Sequence, residues 1–257
     1  MSAELKTALL AAKKAAAISR KYYCRQLSVS IKSDLTPVTQ ADVECEQAIK
    51  EVILKAFPQH GFYGEETGRV RAEAPSLWLV DPIDGTKGFV RQYPFFSTQI
   101  ALMREGRIVL GVSSGTMFGE IAWAEVGNGA WLNEKKLKVS EITEPAQAAL
   151  STGNLKSLAN SEGWSNLGKW VAVADRIRGY GDFYHYHLLA AGKIDAVIES
   201  DVNILDIAAL SIIVREAGGV FTDLDGVAPS LETRSVLAAN PGLHSKLLSD
   251  LKGCMNL

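Results

Sequence analysis

The sequence predicts an α/β (α+β) fold in which helices and sheets stack in layers. Three observations predict it. The chain opens on two amphipathic helical stretches, its middle carries hairpin signals between apolar runs, and its second half alternates helix and strand patterns. At ~150 residues per domain, 257 residues come to between one and two units. We read a single domain over 1–257, made of an N-terminal α+β half (1–145) and a C-terminal α/β half (146–257).

Residues 3–24 place Leu5, Leu9, Ala12 and Ala16 at helical spacing. A second helix follows Thr39, with a buried face predicted at Cys45, Ala48, Ile49, Val52, Ile53 and Ala56, and with Pro58 just past its end. The apolar run 76–80 reads as a buried strand. Strands over 97–103 and 107–112 flank Glu105-Gly106, and strands over 120–125 and 130–132 flank Gly127-Asn128-Gly129. The Ser, Asn and Gly content of 145–175 predicts loops around short elements. After it come a helix over 182–191, a strand over 194–199 and a helix over 207–217 that Gly218-Gly219 ends. A strand over 220–222 and a helix over 241–251 close the chain.

Composition excludes several classes of function. Hydrophobic residues make up 47%, too many for intrinsic disorder. The 27 basic against 29 acidic residues leave a net charge of −2, which argues against a nucleic-acid partner, because phosphate-backbone affinity needs clustered Lys and Arg. No apolar run approaches the ~18 to 20 residues that span a bilayer, so no membrane partner is expected. Glu4, Lys6, Lys13 and Lys14 break up the first apolar stretch, unlike a secretory signal. Cys24, Cys45 and Cys254 are odd in number and include no Cys-x-x-Cys, against a disulfide framework or a thiolate zinc site. A reducing cytoplasm fits this usage.

Three acidic features carry the chemistry: Gly64-Glu65-Glu66; Asp81-Pro82-Ile83-Asp84-Gly85-Thr86, directly after an apolar strand; and Asp206, at the start of an apolar helix. A strand that ends in a carboxylate delivers that side chain to a crevice at the strand's C-terminal end. Several carboxylates converging there repel one another unless cations neutralise them, and Mg²⁺ suits a few carboxylates, water and a substrate phosphate. A helix starting at Gly85-Thr86 would offer free backbone N–H groups to an anion. Together these point to metal-assisted phosphate chemistry. Taken singly, each has a plainer use. Asp84-Gly85 is a turn signal, Asp206 a helix N-cap, Glu65-Glu66 a solvated face, and Thr39-x-x-Asp42 a capping-box variant.

These motifs and their order resemble the inositol monophosphatase family of Mg²⁺-dependent phosphomonoesterases over nearly the whole chain. Residues 81–86 reproduce the family's Asp-Pro-(Ile/Leu)-Asp-Gly-Thr, and Gly-Glu-Glu stands upstream at 64–66. The usual Trp-Asp-x-Ala reads Leu205-Asp206-Ile207-Ala208, with Leu205 in place of the Trp, and is followed by Glu216-Ala217-Gly218-Gly219. Val38-Thr39-Gln40-Ala41-Asp42 matches the early Val-Thr-x-x-Asp. The resemblance implies a layered α-β-α-β-α sandwich, a homodimer, two or three Mg²⁺ per active site and inhibition by lithium. It implies metal ligation by the side chains of Glu65, Asp81, Asp84 and Asp206 and by the Ile83 carbonyl. Thr86 would position the attacking water, and Asp42 would hydrogen-bond Thr86. With Asp84, the amides of Gly85 and Thr86 would hold the phosphate, and Glu66 would support the ligands from behind.

Three positions bear on which phosphate ester is taken. Lys87 follows the Asp-Gly-Thr, as in the family's histidinol-phosphate phosphatases and 3′-phosphoadenosine nucleotidases, and Asp182 stands where inositol phosphatases usually carry a small residue. Glu199 lies seven residues before Asp206, where the family's Glu reaches the alcohol portion of the substrate. Two carboxylates at that end suit an ammonium better than a neutral polyol. The expectation is therefore a histidinol-phosphate phosphatase. The alternatives are inositol-1-monophosphatase, a broad-specificity phosphatase of the same family, and a non-catalytic metal- and phosphate-binding regulator. Asp182 read as the N-cap of the helix after it is the competing structural role. His185 and His187, two residues apart on a helix, point to different faces and form no metal pair.

Overall fold

The structure is a computed structural model and describes residues 1–23, 29–31 and 37–251. Helix α1 (Ala3–Tyr22) starts on Ser2, whose hydroxyl accepts the Leu5 N–H at 3.0 Å. Glu4 in its first turn and Arg20 and Lys21 in its last complement the helix dipole. Its buried stripe is Leu5, Ala8, Ala12, Ala15 and Ser19, rotated from the predicted one, so Leu9 and Ala16 are only half-buried. Residue 24, the predicted end of this helix, lies outside the described residues, as does Cys254; Cys45 is buried with a free thiol.

Strands β1 (Val29–Ile31) and β2 (Pro37–Thr39) pair antiparallel and lead into α2 (Gln40–Ala56). The buried face of α2 is Ala41, Asp42, Cys45, Glu46, Ile49 and Ile53. The predicted Ala48 and Val52 are half-buried and Ala56 is exposed, because two carboxylates with backbone partners take the inward positions instead.

The first sheet has eight strands: β3 (Gly61–Gly64), β4 (Gly68–Val70), β5 (Ser76–Asp84), β6 (Ser97–Arg104), β7 (Arg107–Gly115), β8 (Glu120–Glu125), β9 (Ala130–Leu132) and β10 (Lys135–Lys136). Their order is β10-β9-β8-β7-β6-β5-β3-β4, and every pairing is antiparallel except β3 with β5. Strand β5 runs four residues past the predicted apolar run. Asp81 still pairs with Gln99 and Asp84 with Ser97, and the ladder is broken between them, where Pro82 has no N–H to give. The short α3 (Thr86–Val90) follows directly.

The second sheet is mixed. It holds β11 (Ala149–Thr152), β12 (Arg176–Arg178), β13 (Ala196–Ser200), β14 (Val220–Thr222) and β15 (Ser235–Ala239) in the order β12-β11-β13-β15-β14. Strand β11 runs parallel to β12 and β13, and β15 runs antiparallel to β13 and β14. Helices α4 (Leu155–Ala159) and α5 (Trp164–Val173) are among the short elements of the stretch predicted as loops around such elements, and α6 (Asp182–Ala190), α7 (Ile204–Glu216) and α8 (Pro241–Leu251) complete the chain.

Three apolar cores set five layers. Helices α1 and α2 cover one face of the first sheet through Leu5, Ile49, Ile53, Phe62, Trp78 and Ile100. Helices α6 and α7 fill the space between the two sheets. Helices α4, α5 and α8 cover the outer face of the second sheet through Leu158, Leu167, Trp170 and Leu247. The resulting α-β-α-β-α stack depends on close approach at Gly111 of β7, where a Cβ would lie 2.6 Å from the Ala209 carbonyl oxygen of α7. With α7 packed on this sheet, Asp206 in its first turn lies beside Asp81 and Asp84 at the end of β5. Among the described residues, no helix is long and apolar enough to cross a membrane.

Candidate active site

Side chains alternate along a strand, so residues three apart, such as Asp81 and Asp84, would face opposite ways on a regular β5. The break in the ladder reverses that alternation, and both carboxylates reach one place. Asp81 also accepts the Ile83 N–H at 2.9 Å, and the Thr98 hydroxyl donates to the Pro82 carbonyl at 2.9 Å, pinning the irregular segment.

The third carboxylate comes from α7. Asn203, not Asp206, is the N-cap: its side-chain oxygen accepts the Leu205 N–H at 2.7 Å. Asp206 stands three residues later and closes a capping box, accepting the Asn203 N–H at 2.9 Å and the Asn203 Nδ2 at 2.7 Å. Oxygens of Asp81, Asp84 and Asp206 lie within 4.8 Å of one another. Glu65 stands against Asp81 and shares a hydrogen bond with it.

Among the described residues no Lys or Arg pairs with Asp81, Asp84 or Asp206, so burial and mutual repulsion act on them unopposed by a cation. Burial, then Glu65, holds the Asp81 carboxyl well above the usual carboxylate range. Burial, then Asp182, does the same to Asp84. Burial pushes Asp206 up to about 7, against the bonds from Asn203. An all-oxygen set of crowded, electron-rich ligands fits a hard divalent cation, which would supply the missing positive charge.

Asp42 repeats the arrangement of Asp206 at the start of α2. It accepts the Thr39 N–H at 2.8 Å and the Thr39 hydroxyl at 2.6 Å, while the Thr39 oxygen takes the Ala41 N–H at 3.1 Å. Its other oxygen faces the Thr86 hydroxyl at 3.3 Å, and that hydroxyl also lies 3.0 Å from the Ile83 carbonyl oxygen. Burial raises the Asp42 pKa. Gly85 caps α3 with φ 86, and a Cβ there would lie 2.7 Å from the Phe95 carbonyl oxygen, so glycine serves both the conformation and the close approach. Lys87 is exposed in the first turn of α3 at the mouth of the cleft.

The cleft itself has a volume of about 570 Å³ and is lined by Glu65, Asp81, Asp84, Thr86 and Asp206 among others. A recess of about 100 Å³ adjoins it, sharing Asp84, Asp182 and Asp206 and adding Glu199 and Tyr186. Asp182 is not the N-cap of α6. That position is Gly181, and Asp182 is the first helical residue, with φ 43 in the left-handed region. Burial, then Glu199, lifts the Asp182 carboxyl to about 6. Glu199 Oε2 accepts from the Tyr186 hydroxyl at 2.6 Å and faces His185 Nε2 at 3.1 Å; His185 Nδ1 lies 3.2 Å from the Ser151 hydroxyl. His187 points elsewhere, between Glu120 and Ser113.

Some supporting residues escaped the sequence reading. Glu46 is fully buried and accepts the Glu66 and Thr67 N–H groups, each at 2.7 Å, so it holds the Gly-Glu-Glu turn from behind. Its carboxylate lies where a Cβ on Gly64 would be, which explains that glycine. Its signal was available: it lies four residues after Asp42 and one after the buried Cys45, on the inward stripe of α2. Ser97, which donates to Asp84 Oδ2 at 2.9 Å, is the residue opposite Asp84 across β5 and β6, and only the register shows it.

A carboxylate cluster that could hold a cation, at the start of a short helix and in a five-layer α/β stack, fits a class: phosphoric monoester hydrolases that are generally metal-dependent. A model of the inositol monophosphatase family matches residues 1–256, and the chain belongs to that family. It is 37% identical to a histidinol-phosphatase of Mycobacterium tuberculosis, covering 96% of this chain and 97% of that protein. It is 36% identical to an inositol-1-monophosphatase of Caulobacter vibrioides, covering 88% and 91%. The extragenic suppressor protein suhB of Bartonella henselae superimposes with a TM-score of 0.89 over 98% of this chain and 99% of that one, at 32% identity.

Proposed function

We propose that this phosphatase hydrolyses L-histidinol phosphate to L-histidinol and phosphate. The observation that carries the reading is the recess beside Asp84, where Asp182 and Glu199 present two carboxylates to the end of the substrate away from phosphorus. An ammonium there forms charge-assisted bonds, whereas a neutral polyol leaves the crowded negative charge of Asp182 beside Glu199 unmatched, Glu199 itself being bonded to Tyr186 and His185. Relatives named histidinol-phosphatase at 37%, 36% and 32% identity support it. The inositol-1-monophosphatase of Caulobacter vibrioides at 36% supports the second reading, inositol 1-phosphate.

Asp81, Asp84, Asp206 and Glu65, with the Ile83 carbonyl, are the residues to hold Mg²⁺, two or three per site by family resemblance. Bound there, Mg²⁺ would lower the pKa of a water so that hydroxide is available at neutral pH, and would offset the phosphoryl charge. The Thr86 hydroxyl has one proton, which goes to Ile83 or Asp42, so its free lone pair accepts a hydrogen bond from the attacking water and aims it. The Gly85 and Thr86 amides, at the start of α3, take phosphate oxygens. Glu66 acts through the turn that Glu46 holds, and Lys87 screens the incoming phosphate at the mouth. The water oxygen bonds to phosphorus in line as the ester bond breaks, and the alcohol oxygen leaves with a proton.

The same resemblance leads us to propose a homodimer, lithium inhibition and one domain over 1–257. We assign the chain to the cytoplasm on its cysteine usage. Phosphate release with Mg²⁺ tests the substrate. We expect kcat/KM several hundredfold higher for histidinol phosphate than for inositol 1-phosphate or 3′-phosphoadenosine 5′-phosphate, or ~3 to 4 kcal/mol. Comparable values, or inositol phosphate ahead, overturn it.

A further inference from the structure

Behind Asp84 runs a chain of hydrogen bonds that the reaction as described does not use. The Ser97 hydroxyl lies 2.9 Å from Asp84 Oδ2. Gln99 Nε2 lies 2.7 Å from Ser97 Oγ and 3.1 Å from Ser113 Oγ. Ser113 Oγ lies 2.9 Å from His187 Nε2, and His187 Nδ1 lies 3.0 Å from Glu120 Oε2. Ser97, Gln99, Ser113 and His187 are all buried.

Counting protons gives this chain one direction. An amide NH₂ has two protons, and Gln99 gives one to each serine. Ser97 therefore accepts from Gln99, and its single proton goes to Asp84. Ser113 likewise accepts from Gln99, and it shares a hydrogen bond with His187 Nε2 while His187 Nδ1 shares one with Glu120. The opposite amide orientation would put Gln99 Oε1 between the serines, where it would draw the Ser97 proton away from Asp84 and strand two buried N–H protons. The observed orientation strands only Gln99 Oε1, the one buried side-chain oxygen without a partner among the described residues. One orphan acceptor costs less than two orphan donors.

We propose that Gln99 is a positioning residue for Asp84: its amide commits the Ser97 proton to Asp84 Oδ2, which fixes the carboxylate and leaves its other oxygen free of that bond to hold a divalent cation. The inference rests on the reading of Asp84 as a cation ligand. Asp84 faces Asp182, Asp206 and Glu199, and among the described residues Ser97 is its one hydrogen-bond donor. A donor on one oxygen favours the charged carboxylate and fixes its rotation, which a cation requires.

The test is direct binding of Mn²⁺, followed by electron paramagnetic resonance, with kcat measured against Mg²⁺ concentration in parallel. Gln99→Leu, Gln99→Glu and Ser97→Ala are each expected to weaken Mn²⁺ binding by about tenfold or more. Saturating Mg²⁺ should recover most of kcat. Gln99→Glu keeps the shape but can only accept, so its loss should be at least that of Gln99→Leu. Because Gln99 acts through Ser97, the Ser97→Ala/Gln99→Leu pair should bind no more weakly than Ser97→Ala alone. Mn²⁺ affinity within twofold of the parent in Ser97→Ala overturns the proposal even if the Gln99 variants fail to fold; so do losses that multiply in the pair. Asp84→Asn separates the two layers. If it binds Mn²⁺ like the parent, the reading of Asp84 fails; if it loses Mn²⁺ while the Gln99 variants keep it, only the positioning role fails.

Discussion

Asp42 and Asp206 hold the same position on two helices: each is the third residue, and each accepts the backbone N–H of its own N-cap residue, Thr39 at 2.8 Å and Asn203 at 2.9 Å. The start of each helix and a site carboxylate are thus one hydrogen-bonded unit, so a cap substitution reaches the site. For Asn203→Ala we expect a loss of ~1 kcal/mol, which lowers the melting temperature by about 2–4 °C in a chain of this size. Asp206 also loses the Nδ2 donor, so the Mg²⁺ concentration for half-maximal activity should rise several-fold. Asn203→Ser keeps the cap oxygen and should recover the stability but not the Mg²⁺ requirement. An unchanged requirement in both variants would separate the cap from the site.

The carboxylates predict an unusual pH dependence for the metal-free protein. Asp206 titrates near 7 and Asp182 near 6 in the fold, both from burial first, against about 4 in an unfolded chain. Between those limits the folded state binds more protons than the unfolded state, so stability falls as pH rises from about 4 through about 7, and Asp81 and Asp84, also raised, act in the same direction. The melting temperature in EDTA should be higher at pH 5.5 than at pH 8. Mg²⁺ should raise it more at pH 8, where the site is ionised. A metal-free protein more stable at pH 8 would contradict the unpaired burial of this cluster.

How much of this was legible follows from where each signal lies. The carboxylate triplet could be read because Asp81-x-x-Asp84 is local and Asp206 lies in the first turn of an apolar helix. Strands over 120–125 and 130–132 were bounded by their turns, and 241–251 by Pro241. The α1 stripe came out rotated because alanines fit on either side of it and only the contacts with α2 and the first sheet decide. Strand β15, Ser-Val-Leu-Ala-Ala, was missed because no turn signal set it apart and its pairing with β13 and β14 comes from elsewhere in the chain, and the short elements expected within 145–175 were not placed. Ser97 and Gln99 are ordinary strand residues until the register sets them behind Asp84 and Asp81.

Asp84→Asn tests the centre of the site. The amide keeps the shape but removes a negative charge from a cluster whose repulsion burial has already raised. We expect kcat/KM to fall at least a hundredfold, ~2.7 kcal/mol of barrier. The metal-free melting temperature should hold or rise, since a buried charge is gone. Turnover within tenfold of the parent, measured as phosphate release, would contradict a ligand role.

Glu46 predicts a stability cost with a functional echo. Its two 2.7 Å bonds to the Glu66 and Thr67 amides are charge-assisted, worth ~1.5–3 kcal/mol each. Glu46→Ala leaves both amides without their acceptor in a partly buried turn, and we expect a loss of about 3 kcal/mol by denaturant unfolding. Glu65 rides on the same turn, so the Mg²⁺ requirement should rise as well. Glu46→Gln retains one acceptor and should lose roughly half as much. Full stability in Glu46→Ala would mean that the turn holds itself.

The substrate reading stands or falls at Asp182. Its left-handed backbone, φ 43, is strained for a residue with a Cβ, and its carboxyl is held among Asp84 and Glu199, whose repulsion His185 offsets only in part. That excess of negative charge is what a substrate ammonium would relieve. Asp182→Ala should therefore cost histidinol phosphate about a hundredfold in kcat/KM, ~2.7 kcal/mol, and inositol 1-phosphate severalfold at most. Asp182→Asn keeps the size and tolerates the same backbone conformation but removes the charge, so it should show the same split. If both variants lose equally on both substrates, the residue shapes the start of α6 and does not recognise a cation. If Asp182→Asn is parent-like on histidinol phosphate, the ammonium is matched elsewhere and Glu199 becomes the carboxylate to substitute next.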